Sequence, residues 1–267
     1  MTSFTVGSGA RRIVSLTEEP TELLYLLGEE DRVVGITAYT ERPPEAKRDK
    51  PVVSAFVGGS VERIRALEPD LVIGFSDVQA DYARTLIHAG LPVLILNQRS
   101  LQDILDAMVI IGGVVGAAER ARVLMEGYAR RLEEAAERTA KRARRPRVYF
   151  EEWDDPMISC IRWVGELIEL AGGENIFADR SLAAASKGRH VTVEDVRAAN
   201  PEIILASWCG KPFDREAAEQ RLGSDLDAFR AGRVHELPAE IILQPGPAAL
   251  GDGLALLETL IGASPTG

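Results

Sequence analysis

Cysteine is nearly absent from this chain: Cys160 and Cys209 are the only two in 267 residues, and they form no CxxC pair. A single possible pair is no disulfide framework, so cysteine spacing decides neither the fold nor the redox compartment. Histidine is as scarce. His88, His190 and His235 show no ligand spacing, and without converging imidazoles or thiols no dedicated zinc or manganese site and no cofactor are expected. A run of eighteen apolar residues is missing, as are the basic and apolar regions of an export leader in the opening MTSFTVGSGARR. As written, the chain is expected neither to span a membrane nor to be exported; it works in the cytoplasm, or a native signal has been removed. A basic excess is missing too: 31 Lys and Arg stand against 41 Asp and Glu, for a net charge of −10. The one local excess, KRARRPR at 141–147, sits at a helix end where cations complement the dipole, so nucleic acid is not an expected partner. GSGARR, FVGGS and LAGGEN lack the order of a P-loop or a dinucleotide fingerprint and read as turns and caps.

What remains is the composition of a folded domain, 46% hydrophobic and 27% charged, with length for one large or two medium domains. Strand-like blocks (RRIVSL, RVVGIT, DLVIGF, PVLILN) alternate with helical spacing (PTELLYLLG, VERIRAL, YARTLIHAG, LQDILDAMVIIGGVVG), which argues for a parallel or mixed α/β sheet. Between RVVGIT and VERIRAL the sequence reads as a long loop through Pro43 and Pro44. Residues 117–143 are then expected to form one long helix, whose stripe runs through Ala121, Leu124, Tyr128, Leu132, Ala135 and Thr139. About 27 residues at about 1.5 Å each make a rod of roughly 40 Å. After Pro146 the rhythm resumes with RVYFEEW, WVGELIELAGG, VTVEDVRAANP, EIILASW and a terminal helix near 250–262. The expected fold class is therefore α/β, with an N-terminal lobe (1–116), a connecting helix (117–145) and a C-terminal lobe (146–267).

In such lobes ligands sit beyond the carboxyl ends of the strands. Large aromatic residues recur at those ends: Tyr39, Phe56, Phe75, Trp153, Trp163, Trp208 and Phe213, among them all three tryptophans. Flat aromatic walls suit a large, rigid, partly apolar ligand. EEWDDPMISCIRW (151–163) packs four carboxylates, two tryptophans and a cysteine into thirteen positions, but adjacent carboxylates on a strand point to opposite faces, which speaks against a paired acid/base. Cys160 and Cys209, each just beyond a strand, are expected as neighbours, as a bridge or as buried or cleft-facing thiols.

The combination of RIVSL with TE at 21–22, VVGIT-Y with PPEAK, FVGGSVERIRALEPDLVI, GLPVLIL, the long helix, PRVYFEEWDDP, ELIELAGGENIFAD, VTVEDVRAANPEIIL and QPGPAALGDGL resembles the class III periplasmic substrate-binding proteins, in particular their vitamin B12-binding branch. The resemblance runs from about residue 11 to 260. It implies two α/β lobes joined by the long rigid helix, a ligand clamped in the cleft between them, no catalysis, a monomer, and delivery to the permease of an ABC transporter, in the periplasm or at the cell surface. The cleft positions it implies are Tyr39 and Thr40, Phe56 and Val57, Phe75, and the 153–163 and Trp208 loops. Trp153 and Trp163 then offer apolar faces, Glu152, Asp154, Arg162 and Lys211 bond the amide-rich rim of a cobalamin-like corrinoid, and Cys209 and Phe213 lie alongside. Glutamates matching Glu62 and Glu194 dock the transporter, one per lobe. Two departures are the missing leader and Ala171, where a relative has a disulfide cysteine. A ferric siderophore or haem binder, using Arg42, Arg99, Arg162 and Arg189, is the alternative within the class. A cytoplasmic enzyme with Cys209 as nucleophile is the alternative outside it.

Overall fold

The computed structural model describes residues 9–263. The first eight residues, on which most of the leader reading falls, lie outside the described residues. Contacts divide the chain into two compact units, one comprising residues up to Gln98 together with Gln102–Ala129, the other Arg99–Leu101 and everything from Arg130 onward.

The first unit carries β1 (Ile13–Ser15), β2 (Val33–Thr37), β3 (Val52–Ala55), β4 (Gly58–Gly59), β5 (Leu71–Phe75) and β6 (Val93–Leu96) in the order β4-β3-β2-β1-β5-β6. All neighbours are parallel except β3 and β4. Its helices are α1 (Glu18–Leu26), α2 (Pro44–Asp49), α3 (Val61–Ala66), α4 (Ala80–His88), α5 (Leu101–Val114) and α6 (Ala118–Ala140), the last two crossing the division. LVIGF is buried at every position, the pattern of a strand covered on both faces. Val14, Leu16, Val53, Ile64, Val72, Tyr82 and Leu86 make the core around it. The loop expected after β2 instead folds into α2 and the short pair β3 and β4. Four residues of strand are too few for an alternation to show in sequence.

The second unit carries β7 (Arg147–Asp154), β8 (Met157–Ser159), β9 (Glu174–Asn175), β10 (Ile203–Ala206) and β11 (Val234–Glu236). The order is β11-β10-β7-β8, with β9 also beside β7; only β8 is antiparallel. Its helices are α7 (Arg162–Leu170), α8 (Ala178–Ser181), α9 (Val193–Ala199), α10 (Arg215–Leu222), α11 (Asp227–Arg230), α12 (Ala239–Ile242) and α13 (Leu254–Gly262). Tyr149, Met157, Val196, Ile204, Leu222 and Phe229 are part of its core. The basic run at 141–147 does more than complement its own helix. Arg145 donates to the carbonyls of Glu169 and Gly173 at the end of α7, and Arg147 to those of Ala199 and Asn200 at the end of α9. The cations thus satisfy orphan carbonyls of neighbouring helices. No described helix is long and apolar enough to cross a membrane.

Candidate functional site

Both units reverse strand order once, between β1 and β5 and between β7 and β10, and the carboxyl ends at such a reversal leave room for a ligand.

In the first unit three large apolar residues stand exposed just past strand carboxyl ends: Tyr39 after β2 (55%), Val57 after β3 (66%) and Val78 after β5 (58%), only the last at the reversal itself. Buried polar groups hold their loops. Glu18 Oε1 accepts from the amides of Glu41 (2.8 Å) and Arg42 (2.6 Å) and so fixes the loop bearing Tyr39. Gln79, fully buried, donates to Phe56 O (2.6 Å) and accepts from Phe75 N (3.0 Å), tying two strand ends together. Gly74 makes this possible, because a Cβ there would collide with Gln79 Oε1. Thr40 and Phe75 do not reach the surface. Both were expected to touch ligand, but Thr40 is fully buried and Phe75 is 7% exposed within the core. Phe56 is half-buried.

In the second unit the strand alternation separates Glu151 from Glu152. Glu151 is buried among Tyr149 OH (3.0 Å), Trp208 Nε1 (3.1 Å) and Arg221 Nη2 (2.7 Å). Glu152 points the other way, to the buried Arg189 and to the amide of Ile161 (3.0 Å). Between the two strand ends Lys211 lies over the rings of Trp153 (4.4 Å) and Trp208 (4.6 Å) while its ammonium meets Asp154 at 2.6 Å. A cation between two indole faces is held by ring quadrupoles as well as by its carboxylate. Phe213 packs edge-on against Trp208 at 5.0 Å. A recess of about 520 Å³ bordered by Trp208, Lys211, Pro212, Leu237 and Pro238 adjoins this cluster.

Trp153 is half-buried, its indole N–H donating to Asp155 O at 2.9 Å, whereas Trp208 is only 5% exposed. Trp163 is no wall: it is 2% exposed, packed on the inner face of α7, with its indole N–H donating to Ile242 O at 3.0 Å. Helical phase, not visible in the short stretch CIRW, turns it inward. Arg162 next to it is exposed and paired with Glu166 at 2.7 Å.

The cysteines are not neighbours. Both are free; Cys160 is buried and its sulfur accepts from Asn175 Nδ2 (3.4 Å), while Cys209 is exposed. Cys160 follows β8 and Cys209 follows β10, on opposite edges of β7. Two strand spacings, about 9–10 Å, exceed the reach of a disulfide, about 7 Å between Cα atoms. Partial desolvation and Glu152 push the Cys209 thiol up, the direction opposite to that of an activated thiolate. Among the described residues no group of three His, Cys, Asp or Glu can hold a metal ion.

Glu62 and Glu194 occupy the same place in two helices. Each is the second residue of its helix, after N-caps Ser60 and Thr192, and each is exposed. The sequence did not single out Glu18, Gln79 and Glu151, which are buried, or the half-buried Arg221, each of which has a partner 20 or more residues away. The available signal for Glu151 was the strand period of RVYFEEWD, which puts it on the face of Tyr149 and opposite Glu152.

A sequence profile of the family described as periplasmic binding protein matches residues 13–241. An ABC transporter substrate-binding lipoprotein of Bacillus subtilis, YvrC, is 27% identical over 96% of this chain and 82% of its own length. A vitamin B12-binding protein of Yersinia pestis is 27% identical over 79% of this chain and 75% of its own. The crystal structure of a periplasmic heme binding protein from Pseudomonas aeruginosa superposes with a TM-score of 0.80 at 24% identity, covering 97% of this chain and 95% of that one. With the profile match, two α/β units and aromatic strand ends in hand, the chain belongs to the periplasmic binding protein family.

Proposed function

We propose that this chain is a non-enzymatic binding protein that captures a corrinoid of the cobalamin kind and delivers it to the permease of an ABC importer. The charge balance of its aromatic strand ends carries the reading. Arg42, Arg162, Arg189, Lys211 and Arg221 each have a carboxylate partner: Glu22, Glu166, Glu152, Asp154 and Glu151. A haem or a carboxylate siderophore brings anions that need cations of their own, and recruiting these would strip partners from buried charges. An uncharged, amide-rimmed macrocycle asks only for apolar faces and hydrogen bonds, which Tyr39, Val57, Val78 and Trp153 with its polar neighbours offer. The vitamin B12-binding relative in Yersinia supports the same ligand class, and the Bacillus lipoprotein supports transport. A ferric complex is the second reading, favoured by the exposed phenol of Tyr39, since phenolate oxygen ligates ferric iron.

Trp153 is the better probe because Trp208 is tied into the protein's own structure. Replacing Trp153 by alanine should weaken cyanocobalamin binding by about 1–3 kcal/mol, roughly 5- to 150-fold, as measured by equilibrium dialysis. Binding at wild-type strength would remove the indole from the ligand wall.

Glu62 and Glu194 are the proposed docking pair. The Glu62 carboxylate is held below its ordinary range by its own amide and the Ser60 hydroxyl, so it is a fixed negative charge at neutral pH. Rim charges of this kind govern encounter and register more than core affinity. Reversing both to lysine should leave cyanocobalamin affinity intact and abolish uptake by cells carrying the cognate transporter. Uptake at the wild-type rate would refute docking and point to a cytoplasmic corrinoid carrier rather than work at the periplasmic side.

A further inference from the structure

The first turn of α1 holds acids where water would normally solvate them. Glu18 and Glu19 are 2% and 4% exposed, and among the described residues neither has an ion pair. Glu18 Oε1 holds the amides of Glu41 and Arg42, and Glu19 Oε1 accepts from the Thr17 hydroxyl at 2.8 Å. The second oxygen of each acid, and the hydroxyls of Thr21 and Thr40, are buried without a hydrogen-bond partner. The charged groups around the pair balance one another rather than the pair: Glu22, one turn on, takes Arg42 at 2.9 Å, and Glu41 in the loop takes Lys47 of α2.

We propose that Glu18 is the positioning residue of the 39–42 loop, holding Tyr39 on the strand-end face through the amides of Glu41 and Arg42, and that closing this loop takes up a proton onto the Glu18 and Glu19 pair. Tyr39's role toward ligand rests on the function proposed above; the hold on the loop does not. Two buried carboxyls beside a third, with no cation of their own, cannot both stay ionised. Burial pushes Glu18 up to about 8 and Glu19 up to about 7, both from an ordinary 4.5. Opening the loop returns Glu18 to water. The closed form therefore binds the proton more tightly, and closure weakens as the pH rises toward the folded-state value. An unprotonated, doubly charged pair is the form the buried site resists.

The test is amide hydrogen exchange of the full chain, read by NMR from about pH 6 to about pH 9, with cyanocobalamin affinity measured alongside. In the wild type, protection of the Glu41 and Arg42 amides should fall by about fivefold or more across this range relative to Val72 and Ile73 in β5. Glu18→Ala should lower that protection by about tenfold or more at every pH. The double variant Glu18→Gln/Glu19→Gln keeps the acceptor oxygen and loses the protons, so protection should persist without a pH trend; this arm decides the matter even if the alanine variant fails to fold. Unchanged protection in Glu18→Ala, or the wild-type trend surviving in the double variant, would overturn the proposal. Should the wild type ignore cyanocobalamin, the corrinoid reading fails while the exchange data still decide the latch. Should it bind, and Tyr39→Ala weaken binding, Glu18→Ala is expected to weaken it as much; wild-type affinity in Glu18→Ala with an unprotected loop would overturn the placing of Tyr39 for ligand, while the exchange data decide the hold on the loop.

Discussion

Replacing Trp208 by alanine should destabilise the protein by about 3–5 kcal/mol, seen as a lower urea midpoint. The indole is buried between Phe213 and the ammonium of Lys211, and its N–H is one of the donors that satisfy the buried Glu151 carboxylate. Truncation leaves a cavity the size of the ring and takes a donor from a charge that is 1% exposed. Trp208→Phe keeps most of the volume and loses only the hydrogen bond, so it should cost about 1–2 kcal/mol. If the alanine variant matched the wild type, the description of Glu151, Trp208 and Arg221 as one interlocked unit would be wrong. The same burial explains why ligand affinity is better read from Trp153.

Stability should also fall as the solution becomes more alkaline, an unusual direction for a chain with so many surface carboxylates. Glu18 and Glu19 have folded-state values raised to about 8 and about 7 from 4.5. Below 4.5 both states hold these protons and nothing is lost; above it the unfolded chain ionises while the folded chain does not, so rising pH favours unfolding until the folded values are passed. Between about pH 5 and about pH 8.5 the wild type should therefore lose on the order of 2–4 kcal/mol more than Glu18→Gln/Glu19→Gln. Comparing the two proteins cancels every other titrating group, including His235, whose depressed value acts in the opposite sense. Parallel curves for the two would show that the pair is ionised and solvated in the folded state.

Much of the fold was legible because strands covered on both faces leave uninterrupted apolar blocks, as in LVIGF and IILA, and because Thr192 with Asp195 writes a helix start into the sequence. The opposite directions of Glu151 and Glu152 followed from strand period alone. The site was less legible, since exposure of an aromatic depends on neighbours distant in sequence. Trp153 and Trp163 are ten positions apart in one stretch, yet one lies half-buried under the Lys211 ammonium and the other bonds Ile242 in the core. Glu18 and Glu19 precede the helix read from PTELLYLLG and carry no local mark of burial; the amides that hold Glu18 come from the loop at 39–42, more than 20 residues on. The cysteines were misjudged because β8, three residues long after a tight turn, inserts itself along the edge of β7.

If, as proposed, the aromatic strand ends take an uncharged corrinoid, calorimetric titration of the purified chain with cyanocobalamin, haem and a ferric carboxylate siderophore, side by side under identical conditions, decides between the ligands. Cyanocobalamin should bind saturably at one to one, and the two anionic iron complexes weakly or not at all. Tight binding of haem or siderophore with no heat from cyanocobalamin would contradict the proposal.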